Sequence, residues 1–391
     1  MYSWAVKTIL RRDLINAAAL AAVSRLLAGA DSSAETLRNA GARKNLLVGT
    51  AVSFRELQRP EFTRVLAEQA AIVVPENEMK WSLIHPAPDR FDFSRGDALV
   101  DFAAGHNQRV RGHNLCWHEQ LPLWFKNEAT SSNVLDLLRT HISTVVTHYG
   151  GRMHSWDVVN EAVNVKDGRS DGLRNTPWLA LGGPGYLDVA FKTARASDRS
   201  ALLTYNDYDL EQDSPEHEAK RKAVLALLTG LRERNVPIDA LGLQAHLKAR
   251  AEPPRWDGLH QFMNGVEKLG LQIFITELDV DDTDLPGDIA ERDRLVAGLY
   301  GDFLSQVLPH KSVTALLTWG LTDGDSWLKS FRPRKDRLPP RPLPFDADLR
   351  SKPAFTAMLN AINSAPPRAA NPVGRRDPAG RPHKSRSVNG Y

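Results

Sequence analysis

SWDVVNEAVN, residues 155–164, reads as a β-strand that closes on two polar side chains. Ser155, Asp157 and Val159 alternate with Trp156, Val158 and Asn160, the two-residue period of a strand with distinct faces. Glu161 follows Asn160 directly. An amide followed by a carboxylate adds little to the strand itself. The strand end is therefore expected to open on a cleft where both groups are used.

Seven further runs share this form: LLVGTAVS (46–53), AIVVPEN (71–77), RVRGHNLC (109–116), ALLTYND (201–207), ALGLQAH (240–246), IFITELDV (273–280) and SVTALLTWGL (312–321). Helical-period stretches lie between them, such as NVLDLLRTHISTVVTHYG (133–150) and HEAKRKAVLALLTGLRERN (217–235). In the second, Ala223, Leu227, Leu228 and Leu231 form the expected buried face. Eight strands alternating with helices predict the α/β class, with parallel pairing through right-handed crossovers. Eight parallel strands close a (β/α)8 TIM barrel, here a single catalytic domain over residues 31–364. An open doubly wound sheet usually carries G-x-G-x-x-G in its first turn, and GTAVSFREL (49–57) has none. Nearly every predicted strand ends in polar or aromatic residues: Glu76-Asn77, His113, Asn160-Glu161, Asn206-Asp207, Gln244 and His246, Glu277 and Asp279, and Trp319. In a barrel these ends meet at one mouth, the face that carries active sites.

The 391 residues, 42% hydrophobic and 25% charged, suffice for a large core. Residues 1–30 combine Arg11-Arg12, an Ala-rich apolar stretch and Ala28-Gly29-Ala30, a small-x-small cleavage pattern. This is expected to be an export signal of the twin-arginine type, directing the protein to the periplasm or the medium. The alternative is an amphipathic first helix, to which Arg25 in the apolar run lends support. No other stretch approaches the roughly 18–20 apolar residues of a membrane span, so no stable membrane anchor is expected. Residues 365–391, rich in Pro, Gly and Arg, are expected to be a disordered basic tail. The first 30 residues carry a net +3 and residues 367–391 a net +5, so the total of +3 leaves −5 for the middle. An acidic folded part argues against nucleic acid as a partner. Cys116, the only cysteine, rules out an internal disulfide and sits in an apolar run as a buried thiol would.

Glu161 and Glu277 close two strands and make a carboxylate pair across the mouth. Glycosidic cleavage requires such a pair, one acid to protonate the leaving oxygen and one carboxylate to attack carbon or activate water. The plainer alternative for either residue is an ion pair at a strand end. The attacking carboxylate must stay ionised and so needs donors. Gln244 and His246, two apart on one strand, are expected to supply them, with Asp279 orienting the imidazole. Glu161 must hold a proton near neutral pH, a form that the nearby charge of Glu277 favours.

PENEMKW, GHNLCWHEQLP, WDVVNEA, TYNDYD, GLQAH, ITELDV and WGLTDGDSWL resemble, in order and spacing, the motifs of glycoside hydrolase family 10, the endo-β-1,4-xylanases. The similarity runs from about Gly49 to Phe355. The resemblance implies a retaining double displacement on xylan or xylo-oligosaccharides, with Glu161 as acid/base, Glu277 as nucleophile and Asn160 hydrogen-bonding the sugar 2-hydroxyl. It also implies that Glu76, Asn77, Lys80, His113 and Gln120 hydrogen-bond sugars on the glycone side, beside aromatic walls at Trp117, Trp319 and Trp327. Tyr208 is matched to the leaving-group side, although Asp209 stands after it where the family usually has Asn. For Lys80 a surface ion pair is the alternative, and for each Trp a core position.

No cofactor is expected. His113 and His118 invite a metal reading, but metal-dependent barrel hydrolases usually place H-x-H on the first strand, and VGTAVS lacks it. No G-x-S-x-G elbow is present. The loop KSFRPRKDRLPPRPLPF (329–345) is expected to be a stiff solvated segment, with a sharper alternative in which Arg332, Arg334 or Lys335 attracts glucuronic-acid branches. The expected protein is an exported, monomeric endo-xylanase. Alternatives are a relative acting on short xylo-oligosaccharides or β-glucans, and a sugar-binding barrel without catalysis.

Overall fold

The computed structural model describes residues 35–250 and 254–369. The predicted export signal and most of the predicted tail lie outside the described residues. Nine strands follow in chain order: β1 Leu47–Val52, β2 Ile72–Pro75, β3 Arg109–Gly112, β4 Ser155–Asn160, β5 Leu202–Asp207, β6 Ala240–Leu243, β7 His246–Lys248, β8 Gln272–Asp281 and β9 Val313–Thr318. The sheet order is β6-β5-β4-β3-β2-β1-β9-β8, and β6 pairs with β8 to close it. Eight parallel strands therefore form the barrel, and β7 is a short extra strand along the end of β8, with His246 opposite Asp279.

Alternation along the strands divides the apolar residues between two cores. Ala51, Ile72, Val74, Leu202, Ala240, Phe274, Ala315 and Leu317 pack as one cluster inside the barrel, with Trp319 at its top. Their neighbours face outward and pack under the helices. Gly49 is required at its position, because a Cβ there would lie 1.7 Å from the Ile72 carbonyl oxygen. The interior also holds a charge pair. Arg111 of β3 reaches Asp157 of β4, with its guanidinium 5.6 Å above the Phe274 ring. The second Asp157 oxygen accepts from His113 Nδ1 at 2.9 Å, which fixes that imidazole at the mouth.

The crossover helix Pro215–Glu233 shows how local chemistry sets an element's limits. The Ser214 hydroxyl accepts the His217 N–H at 3.2 Å, Pro215 occupies the first turn, and Asn235 turns left-handed at φ 55° just past the end. The face it buries is Lys220, Arg221, Val224, Leu228 and Leu231. The expected stripe is thus rotated: Ala223 and Leu227 are only half-buried, because Lys220 and Arg221 enter the protein to meet Asp207 and Asp213. The expected tail boundary also moves. Arg368 is buried, its backbone N–H donates to the Lys44 carbonyl at 2.9 Å, and its guanidinium donates to the carbonyls of Val313 and Leu308 at 2.7 and 2.9 Å. Residues 365–369, placed in the tail by the sequence reading, are thus part of the described structure.

Candidate active site

The end of β4 resolves the oddity of an amide followed by a carboxylate. The Asn160 N–H still donates to the Cys116 carbonyl at 2.9 Å and the Glu161 N–H to the Asn206 carbonyl at 2.8 Å. Strict alternation would send the two side chains to opposite faces. Glu161 instead turns left-handed at φ 57°, and both side chains border one cavity of about 730 Å³ at the barrel mouth. Three donors hold the Glu161 carboxylate. Asn160 Nδ2 and Gln244 Nε2 reach Oε1 at 3.1 and 3.0 Å, and Trp117 Nε1 reaches Oε2 at 3.0 Å.

Glu277 reaches the same cavity from β8 but is 4% exposed. Asn206 Nδ2 donates to its Oε1 at 2.7 Å, and His246 Nε2 donates to Oε2 at 3.1 Å. Burial alone would push this carboxyl up. The His246 hydrogen bond, the charges of His113 and His246, and the Asn206 amide outweigh burial and bring it down to about 2. His246 is in turn held by Asp279, whose Oδ1 lies 2.9 Å from Nδ1 and whose Oδ2 accepts Trp327 Nε1 at 2.7 Å. Burial opposes charge on this imidazole, yet Asp279 and Glu277 raise it well above the ordinary histidine value, and each ring nitrogen faces a carboxylate oxygen. The barrel mouth therefore holds one well-stabilised anion and, across the cavity, a more accessible carboxyl.

A family model for glycosyl hydrolase family 10 matches residues 36–361. The chain belongs to glycosyl hydrolase family 10. Endo-1,4-beta-xylanase B of Thermotoga neapolitana is 33% identical over 82% of this chain and 90% of its own length. Endo-1,4-beta-xylanase B of Paenibacillus barcinonensis is 34% identical over 80% and 94%. Among solved structures, native xylanase 10B from Thermotoga maritima matches with a TM-score of 0.76 at 34% identity, covering 84% of this chain and 98% of that one. Xylanase 10B from Thermotoga petrophila RKU-1, solved with xylobiose, gives the same score and identity over 84% and 97%.

Within this family 10 barrel, one expected partner of the carboxylates changes. Gln244 does not serve Glu277: its amide donates to Glu161. The cause is the backbone. The strand expected over 240–246 stops at Leu243, Ala245 turns left-handed at φ 62°, and the chain re-forms as β7 at His246. Gln244 and His246 are therefore not same-side neighbours on one strand, and each faces a different glutamate. The donor that takes the expected place of Gln244 is Asn206, which sequence reasoning recorded only as a polar strand end. It donates to Glu277 and to Asn160 Oδ1 at 2.8 Å, while its own oxygen accepts from Thr276 Oγ1 at 2.7 Å.

Glu76, Asn77, Lys80, His113, Trp117, Gln120, Tyr208, Trp319 and Trp327 all border the cavity. Lys80 is no surface ion-pair residue. It is buried, donates to Asn77 Oδ1 at 3.1 Å and lies 5.1 and 5.9 Å from the ring centres of Trp117 and Trp319. Burial lowers its ammonium, while Glu277, Glu76 and Glu161 work against that shift. The Tyr208 hydroxyl accepts from Arg174 at 2.7 Å, and the same guanidinium donates to the Glu161 carbonyl at 2.8 Å. Of the three basic residues expected near the mouth, only Arg332 borders the cavity, paired with Asp281 at 3.0 Å. Arg334 is buried, bonded to the carbonyls of Asp282 and Leu285 and to Asp336, so it cannot attract a branch.

Proposed function

We propose that this chain is an endo-β-1,4-xylanase that cleaves internal xylosidic bonds with retention of configuration. The observation that carries this reading is the unequal environment of two glutamates on one cavity. Glu277 is buried and held ionised at about 2, while Glu161 is half-exposed beside the cavity. In the first step a Glu277 oxygen bonds to the anomeric carbon, the glycosidic C–O bond breaks, and the Glu161 proton goes to the leaving oxygen. In the second, Glu161 takes a proton from water, whose oxygen displaces Glu277. Asn160, Glu76, Asn77, Lys80, His113 and Gln120 bind the sugar hydroxyls, Trp117, Trp319 and Trp327 wall the rings, and Tyr208 faces the leaving group. Relatives named xylanases and a neighbour solved with xylobiose support xylan or xylo-oligosaccharide as the substrate.

NMR of an early xylan digest is expected to show the β-anomer first. Glu277→Ala is expected to abolish turnover, with azide yielding an inverted product. An α-anomer appearing first, or retained turnover in Glu277→Ala, overturns the reading.

We also propose that the enzyme is exported and works as a monomer without a membrane anchor. Arg11-Arg12 and Ala28-Gly29-Ala30 motivate the export reading. Among the described residues, no helix is long and apolar enough to cross a membrane. Activity confined to the cytoplasmic fraction, or a dimeric mass on sedimentation, counts against these assignments.

A further inference from the structure

Gln244 and His246 reach different glutamates only because Ala245 between them is left-handed, at φ 62°. An alanine does not adopt that conformation unaided, since its Cβ crowds the following carbonyl. Two bonds hold it there. The Ala245 carbonyl accepts from the Asp279 N–H at 3.3 Å, and the Ala245 N–H donates to Glu211 Oε1 at 2.8 Å. Glu211 lies in the segment after β5 and is 2% exposed. Its other oxygen accepts the Leu210 N–H at 2.9 Å. That segment is itself anchored. Arg221 Nη1 donates to the carbonyls of Leu210, Glu211 and Gln212 at 3.3, 3.4 and 3.3 Å, and Nη2 pairs with Asp213 at 2.9 Å. Glu211 therefore joins a braced loop to the one residue whose conformation sorts Gln244 to Glu161 and His246 to Glu277.

We infer that Glu211 is a positioning residue for both catalytic glutamates, acting through the left-handed Ala245. It makes no hydrogen bond to either carboxylate among the described residues, so it touches no reacting atom. The inference rests on the roles given above to Glu161 and Glu277. A glutamine cannot substitute for it, because an amide offers one acceptor oxygen where two N–H donors converge, and its NH2 would meet the other donor.

The test is a cycle of Glu211→Gln, Ala245→Gly and the double variant, assayed on xylan across pH with melting temperatures in parallel. Glu211→Gln is expected to lose up to roughly 100-fold in kcat/KM, more in kcat than in KM, as catalytic groups drift from their places. The acidic limb of its kcat/KM profile is expected to move to higher pH, because a loosened His246 holds Glu277 ionised less well. The double variant is expected to recover part of the loss, since glycine adopts positive φ without support. A folded Glu211→Gln with a lower melting temperature and an unmoved acidic limb overturns the inference, as does an equal loss with alanine or glycine at 245. Should Glu211→Gln not fold, Glu211→Asp, which keeps the charge and shortens the reach, meets the same two criteria. Failure of the functional reading is distinct, since the unaltered chain would then leave xylan uncut.

Discussion

Asn206 ties the two halves of the site together. One amide nitrogen serves both Glu277 Oε1 and Asn160 Oδ1, and Asn160 Nδ2 then reaches Glu161. A hydrogen bond to a charged group contributes about 1.5–3 kcal/mol. Asn206→Ala is accordingly expected to lower kcat/KM on xylan by roughly 10- to 100-fold. It should also shift the acidic limb upward, because Glu277 would keep His246 as its main donor while remaining buried. A pH–rate profile checks this, and an acidic limb identical to that of the unaltered enzyme would show that Asn206 does not hold the nucleophile. The two glutamates, Asn160, His246 and Asp279 were legible from strand ends and motifs, and all of them border the cavity. Asn206 was equally visible in TYND. Its role was not, because that depends on the pairing of β5 with β4 and on where Glu277 stands across the barrel.

At the scale of elements, what sequence reading missed lies where regular structure stops. Glu161 and Ala245 are both left-handed, and each redirects a side chain that strict alternation would have sent elsewhere. Nothing in the residue type announces this, since neither is Gly or Asn. The C-terminal boundary shows the same limit. Pro- and Arg-rich composition predicts a tail from 365, yet Arg368 finds the carbonyls of Leu308 and Val313, and the Arg368 carbonyl accepts from Asn45 Nδ2 at 2.7 Å. Removing buried partners of this kind leaves acceptors unpaired at about 1–3 kcal/mol. A chain ending at Ser364 is therefore expected to unfold at lower urea concentration than one ending at Ala369, with an unchanged slope. Coincident midpoints would mean that this segment contributes nothing.

The whole molecule carries its own pH dependence, set by buried groups that do not line the cavity. His141 is fully buried, stacked on Trp81 with ring centres 3.7 Å apart and with Nδ1 3.2 Å from that of His85. Burial, with His85 adding to it, holds this imidazole well below its usual value, so it stays neutral in the fold. The unfolded chain takes up a proton near 6.5 and the folded chain does not, so stability is full above that pH and declines as pH falls through it. The loss grows as pH falls further below that value. Glu56, raised to about 7, and Asp323, raised to about 6, both mainly by burial, act in the opposite sense, losing stability as pH rises toward those values. A single variant isolates the histidine. His141→Gln is expected to be less stable at pH 7 but to lose less between pH 7 and 5, as read by urea unfolding at each pH. Parallel losses in both proteins would exclude His141 as the source.

The amino-acid sequence determined the alternation of eight strands and helices, and with it the barrel. Because parallel strands in a closed barrel all end on one side, it also determined that the polar strand ends would share a mouth. Strand period and direction are local properties, legible in a short window. Tertiary structure alone decided that Gln244 serves Glu161 and that Asn206 serves Glu277. Those pairings join residues tens of positions apart, through strand registers and two left-handed backbone turns that no short stretch of chain encodes.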